Sequence, residues 1–420
     1  MTASPLFTPT PDVAVIINHL LDIFERRGGS PKQAIRVKLD ELAGKLPAYN
    51  SQLDPAPRLT ANEQLTHLEQ RGLIRLTWQP GQPGHLLDRV TLEPTRTEPL
   101  YTLVSRQPLA EQRQQLRALL LGDRFRLDGW RRRAVEHTLT QLKSHKSPAP
   151  FSLTNETWNQ DLLAALLALS HEESRDEIPY RVFSVRIFND SKRFETLRDA
   201  VARLARRHKP SWRPLSLPET LRELGLVANP GHLYLSGPWR LVDAEGQVMS
   251  LAEFQPSVGL PTALIARLVQ VIVDAPRVVC VENLASFYEL IRYQGRDSAM
   301  VCLWGNPSPA CRHLLRCLAE TLPDDAPLLL CADIDYGGLN ILAQLRQQVS
   351  PRFAPYLMDR PTLDAHTHWA QPLTATDERN LNRLRQHPAL GDMTSLIDYM
   401  LLREIKLEQE AVTFDPHEDR

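Results

Sequence analysis

Apolar and polar positions follow two spacings along this chain, and the spacing marks the elements. In Asp12–Glu25 (DVAVIINHLLDIFE) the apolar residues recur at helical intervals, and Gly28 and Gly29 end the run. Ser30 and Pro31 predict a second helix reaching about Leu42, and Ala61–Gln70 predicts a third. LIRLTW and LLDRVTL then alternate in strand fashion around QPGQPGH, the pattern of a hairpin. From Ser105 to Lys146 the sequence predicts long, polar, Gln/Arg-rich helices around a Gly122–Gly129 break. No stripe there is wide enough for a core of its own, which suggests an extended arm or a dimer-contacting helix pair. An apolar helix follows at Trp158–Leu169, and Arg181–Phe188 alternates as a strand. Asp190 or Ser191 is expected to cap the next helix, with Phe194, Leu197, Val201 and Leu204 as its buried stripe. Short strands are expected between Leu221 and Ser250.

Between Pro276 and Gln348 the pattern changes again. Val278–Val281, Met300–Trp304 and Leu328–Ala332 are short continuous apolar runs, each followed by helix-length sequence. Such runs suit parallel strands buried on both faces, and the alternation predicts consecutive βαβ units. Ligands of open parallel sheets bind beyond the carboxyl ends of the strands. Glu282 closes the first run, and Asp333 and Asp335 close the third, on the same face of extended chain. Three carboxylates at one edge repel one another unless a cation lies between them. Oxygen ligands of this kind suit Mg2+ or Mn2+, so the predicted site is a metal centre for phosphoryl-transfer chemistry on a phosphodiester. An EF-hand reading fails, because Gly337 would occupy the fifth position and Gln344 the twelfth. The blander alternative makes Asp335 an N-cap and Glu282 a solvated strand end.

Composition narrows the picture little and charge distribution more. The 420 residues are 42% hydrophobic and 24% charged, as in an ordinary globular protein of two or three domains. There is no secretion-signal pattern and no run long enough to span a membrane, so the expected location is the cytoplasm. All five cysteines fall within the strand-rich region and lack zinc spacing, consistent with buried thiols. His366 and His368 have no partner ligands at matching strand ends. The net charge is −1, yet Arg181–Arg213 holds ten basic residues against three acidic, a local +7. A second basic stretch, Arg106–Lys146, includes Arg131-Arg132-Arg133. Local basic density beside a metal-type acidic site predicts contact with DNA phosphates, with Lys192, Arg193, Arg186 and Arg198 as candidate binders.

These motifs carry a resemblance. Glu-Asn after the first strand, Gly after the second and Asp-x-Asp-x-Gly after the third resemble the Toprim domain of topoisomerases, primases and several nucleases. SVRIFNDSKRFETL (Ser184–Leu197), VGLPTALI (Val258–Ile265), VENLASF (Val281–Phe287) and KLEQEAV (Lys406–Val412) resemble the JetD family, also called MksG. These are nuclease subunits of Wadjet plasmid-defence systems, distantly similar to the DNA-cutting component of topoisomerase VI. The resemblance is strongest from about Tyr180 to Val412.

It implies a multidomain α/β protein. The expected parts are a winged-helix-like N-terminal domain (1–100), a helical arm (101–150), a CAP-like winged-helix DNA-binding segment (151–220) and a Toprim catalytic domain (221–420), parallel βαβ and Rossmann-like. The implied activity is metal-dependent hydrolysis of circular plasmid DNA by a homodimer working with an SMC-kleisin-KITE motor complex. Glu408 and Glu410 match the family's Leu-Glu-Gln-Glu, although a Glu/Lys-rich helix face is the commoner role for such residues. The relatives that attack DNA with tyrosine precede it by Arg-Asp and an aromatic. No such motif occurs here, and Tyr180 reads as core or surface. Two alternatives stay open: a non-catalytic DNA clamp and a topoisomerase-like transesterase.

Overall fold

The computed structural model describes residues 7–29, 33–170, 174–294 and 298–412. It divides into two compact units, one of Met1–Phe125 with Val135–Gln160, the other of Arg126–Ala134 with Asp161–Arg420. Both mix helices and strands.

In the first unit, helix Pro11–Arg26 starts at Thr10, whose side chain accepts from the Val13 N–H. It buries Val13, Ile16, Ile17, Leu20 and Leu21 at the expected intervals. The expected helix from Ser30 to Leu42 does not form. Ser30 and Pro31 lie outside the described residues, and Ile35–Lys38 is strand β1, followed by a 3-10 helix at Leu39–Lys45. Ile35 and Val37 are buried while Arg36 and Lys38 are exposed, so the alternating spacing prevailed over the helix-start signal. The next helix, Ala56–Gln70, begins earlier than Ala61 because prolines are tolerated in a first turn that lacks hydrogen-bonded N–H groups. The hairpin forms as expected from β2 (Ile74–Trp78) and β3 (Leu87–Leu92), and β1 pairs with β3 to give a three-stranded antiparallel sheet. Two helices occupy the polar stretch, Leu109–Asp123 and Gly129–Lys143, the second of which belongs to this unit only from Val135 on.

In the second unit, which also takes in helix Glu156–Ala168 from Asp161 on, β4 (Ile178–Pro179) pairs with β5 (Leu226–Val227). Between them, the strand expected at Arg181–Phe188 is instead a helix, Tyr180–Phe188. Its alternation is incidental: Phe183 and Ser184 face inward together, and Asn189 ends the helix in left-handed backbone at φ 54°. The Ser184 hydroxyl also accepts from the Phe194 N–H at 2.9 Å, tying this helix to the next. That next helix, Arg193–His208, buries Phe194, Leu197, Val201 and Leu204 as expected, although Lys192 rather than Asp190 or Ser191 stands at its N-cap.

The remaining strands are β6 (His232–Ser236), β7 (Trp239–Asp243), β8 (Val248–Ser250), β9 (Val258–Pro261), β10 (Leu268–Val273), β11 (Arg277–Val281), β12 (Ser298–Cys302), β13 (Leu328–Cys331), β14 (Phe353–Pro355), β15 (Gln371–Pro372) and β16 (Ile405–Lys406). Six form the main sheet in the order β14-β13-β11-β12-β6-β9. Strands β11 to β14 run parallel, and β6 and β9 extend the sheet antiparallel. Val278 and Cys280 join the large core on one face, whereas Val279 and Val281 pack with Phe287, Leu290 and Met300 on the other. Burial on both faces explains why these strands read as unbroken apolar runs. A second antiparallel sheet, β10-β7-β8, packs beside it through Trp239, Leu241 and Val271. All five cysteines are buried and free. No helix among the described residues is long and apolar enough to cross a membrane.

Candidate functional site

The parallel strands place their carboxyl ends side by side, with β11 between β13 and β12. Glu282 follows β11, and Asp333 and Asp335 follow β13. The two ends are tied together: the Asp333 N–H donates to Glu282 Oε2 at 3.1 Å, and the Glu282 N–H to Cys331 O at 3.0 Å. Ile334, between the two aspartates, is buried, so Asp333 and Asp335 leave the chain on the same side, as predicted. Asp335 is also the N-cap of helix Tyr336–Gln348, its Oδ1 accepting from the Gly338 N–H at 2.9 Å. A Cβ on Gly338 would lie 2.1 Å from Asp333 O, so only glycine lets this helix start so close to the strand end.

A third segment completes the cluster, and sequence reasoning undervalued it. The stretch around Glu408 and Glu410 is not a Glu/Lys-rich helix. Helix Thr394–Arg403 ends at Glu404 in left-handed backbone, and the chain then runs as β16 against β15. Leu407 bridges to Ile334 through a pair of backbone hydrogen bonds, at 2.9 and 3.1 Å. That bridge delivers Gln409, whose N–H donates to Asp333 Oδ1 at 2.7 Å and whose side-chain oxygen accepts from the Asn283 N–H at 3.1 Å. The Asn283 amide reaches the same Asp333 oxygen at 3.2 Å. Gln409 was not singled out from sequence beyond the quoted KLEQEAV segment, and Asn283 was noted only as the Asn of the Glu-Asn pair after the first strand.

Electrostatics unites the group. Burial pushes the Glu282 carboxyl up to about 8, with Asp333, Asp335 and Glu410 adding to the effect and the Asp333 N–H opposing it. Burial likewise raises Asp333 to about 6, helped by Asp335, Glu410 and Glu408 and opposed by the Gln409 N–H. The charged groups acting on both are all acids. In charge and donor type this set suits a hard divalent cation. In arrangement it is not closed: among the described residues, no group of three or more His, Cys, Asp or Glu side chains is gathered tightly enough to hold a metal ion.

The basic candidates separate into two kinds. Arg193 is half-buried and pairs with Asp161 at 2.6 Å, so part of its role is to anchor its own helix. Arg198 lies 3.8 Å from Asp199. Lys192 and Arg186 are exposed. Elsewhere in the segment, Arg206 donates to Leu215 O and Lys209 sits over the Trp212 ring at 3.7 Å. Tyr180 packs against Phe194 at 5.9 Å between ring centroids, and burial raises its pKa, which does not favour a nucleophilic phenolate.

Residues 242–420, which contain all the acids of the cluster, match the family described as Wadjet protein JetD, C-terminal. Wadjet protein JetD of Bacillus cereus (strain Q1) is 24% identical over 389 residues, covering 92% of this chain and 93% of that protein. Both comparisons make the chain similar to JetD, the first through its C-terminal part and the second over most of its length. The similarity extends beyond the acid-bearing sheet, because the alignment with that protein takes in 92% of this chain.

Proposed function

We propose that this chain is the DNA-cleaving member of a Wadjet-type defence system, a divalent-metal-dependent endonuclease acting on circular plasmid DNA. The observation that carries the reading is the half-buried acid cluster at neighbouring parallel strand ends, where the Asp333 N–H donates to Glu282 Oε2 and neighbouring acids help raise Glu282 and Asp333. On this reading the second unit contains a Toprim domain and a CAP-like segment, and the hairpin-bearing first unit contains a winged helix. Glu282, Asp333 and Asp335 would hold Mg2+ or Mn2+. A bound ion would supply Lewis-acid stabilisation to the phosphodiester under attack. Gln409 and Asn283 keep Asp333 oriented, and exposed cations such as Lys192 and Arg186 contact the DNA backbone. The working form is a homodimer, and the partner is the SMC-kleisin-KITE motor that would present the plasmid.

Supercoiled plasmid incubated with the protein, Mg2+ or Mn2+ and the motor complex should be nicked or linearised. Asp335→Asn keeps the helix cap but removes the charge, so it should abolish cutting while leaving the fold intact. Cutting that persists in this variant removes Asp335 from the site. Binding without cutting under every metal condition favours a DNA clamp. Protein covalently attached to the cut ends favours transesterification.

A further inference from the structure

The loop after β12 carries an aromatic side chain that the acid cluster does not use. Trp304 follows β12 directly after Leu303, and β12 is the neighbour of β11. Along the sheet edge the order is therefore Asp333 with Asp335, then Glu282, then Trp304. Backbone bonds hold this loop against the acid: the Leu303 N–H donates to Val281 O at 2.8 Å and the Gly305 N–H to Glu282 O at 3.1 Å. Trp304 has left-handed backbone, φ 55°, which is costly for a bulky aromatic residue and persists only where its surroundings impose it. Despite that cost, its side chain is 60% exposed. One edge leans on Tyr234, with ring centroids 5.8 Å apart.

Behind the indole lies a cavity of about 370 Å3, within the usual ~300–1,000 Å3 of small-ligand sites. Its polar lining includes Tyr180, Arg222, Asn229, His232, Ser308 and the carboxylate Glu177, whose oxygen is taken up by the Gly231 N–H and the Thr262 hydroxyl. The set combines aromatic faces, groups able to bond a base edge, and a guanidinium able to meet phosphate. A flat exposed indole accepts any base, because every base has a π-face.

We infer that Trp304 is a stacking platform for a nucleobase drawn out of the duplex beside the acids, with the cavity behind it receiving that nucleotide. The inference rests on the proposed action on DNA and names its substrate as duplex with a locally unstacked base, as at a kink. Stacking there lowers the cost of distorting the strand next to the acids.

The test is a binding measurement on the full chain in EDTA, so that cleavage plays no part. Two duplexes of equal length are compared, one fully paired and one with a central unpaired 2-aminopurine, read by anisotropy and by 2-aminopurine fluorescence. The wild type should prefer the unpaired duplex by roughly 5- to 150-fold, the range of single base–aromatic stacks, and should quench its fluorescence. Trp304→Ala should lose the preference and the quenching while binding the paired duplex as before, and Trp304→Phe should keep most of both. Equal binding of the two duplexes by the wild type, or a preference surviving Trp304→Ala, overturns the inference and leaves the nuclease reading standing. Loss of the preference in millimolar adenosine monophosphate, without loss of paired-duplex binding, is expected if the cavity receives the displaced nucleotide, and a preference unaffected by it overturns the inference. Failure to bind either duplex overturns the inference, while the nuclease reading is decided by the plasmid assay with the motor complex.

Discussion

Glu282 shows what the acid cluster costs in the absence of a cation. Its carboxyl is held among Asp333, Asp335 and Glu410 with only the Asp333 N–H in its favour. Replacing it by Gln retains an acceptor for that N–H and removes one of the crowded charges. Metal-free Glu282→Gln should therefore melt higher than the wild type, by an amount on the order of 1 to 3 kcal/mol, while losing cleavage. A lower melting temperature would mean that the carboxylate contributes more to the fold than its burial among acids costs. The three acids were legible in the sequence because a strand end is a place where carboxylates are either solvated or functional. Gln409 was not legible. Its contribution is a backbone N–H, which every residue but proline possesses, delivered to Asp333 from 76 residues away.

Single elements carry the next level of stability. Glu223, at the end of helix Leu217–Glu223, meets Arg312 of helix Pro309–Ala319 through two bonds of 3.0 and 2.8 Å, both side chains nearly buried. Glu223→Ala leaves a buried guanidinium without its carboxylate and should cost about 3 to 5 kcal/mol, read by chemical denaturation. A loss below about 1 kcal/mol would mean that Arg312 finds another partner. Near β15, Asp377 accepts from the Thr374 N–H and hydroxyl and pairs with Lys406 at 3.1 Å. The Thr374 N–H, opposed by burial and aided by the Thr374 hydroxyl and Lys406, holds its carboxyl below the usual aspartate range. A depressed folded-state pKa means that this stabilisation is present above the unfolded value, about 3.9, and is lost as pH falls below it. Asp377→Asn should accordingly lower the melting temperature at pH 7 and converge on the wild type towards pH 3. Equal deficits at both values would assign the effect to packing. Elements were readable where one force dominated, as in the doubly buried strands and the helix Pro11–Arg26. They were misread at Ile35–Lys38 and Tyr180–Phe188, where a few residues satisfy both spacings and the neighbouring core decides.

For the molecule as a whole, the near-neutral net charge hides an uneven distribution whose use can be measured. Lys192→Ala with Arg186→Ala should flatten the dependence of log K on log salt for duplex binding by about 1 to 2, at roughly 0.9 per phosphate contact. An unchanged slope would take both out of the DNA path. Arg193→Ala should act differently, lowering stability through the lost Asp161 pair more than it changes the slope. The bridge between Ile334 and Leu407 has a consequence for the order in which the molecule is made. Glu282 and Asp333 leave the ribosome well before the stretch that supplies Gln409, and the sheet holding them can pair beforehand. A chain halted in between carries the acids without the amide that orients Asp333. Translation itself therefore delays completion of the acid cluster until the polypeptide has passed Gln409, and prematurely terminated products carry Asp333 without its amide partner.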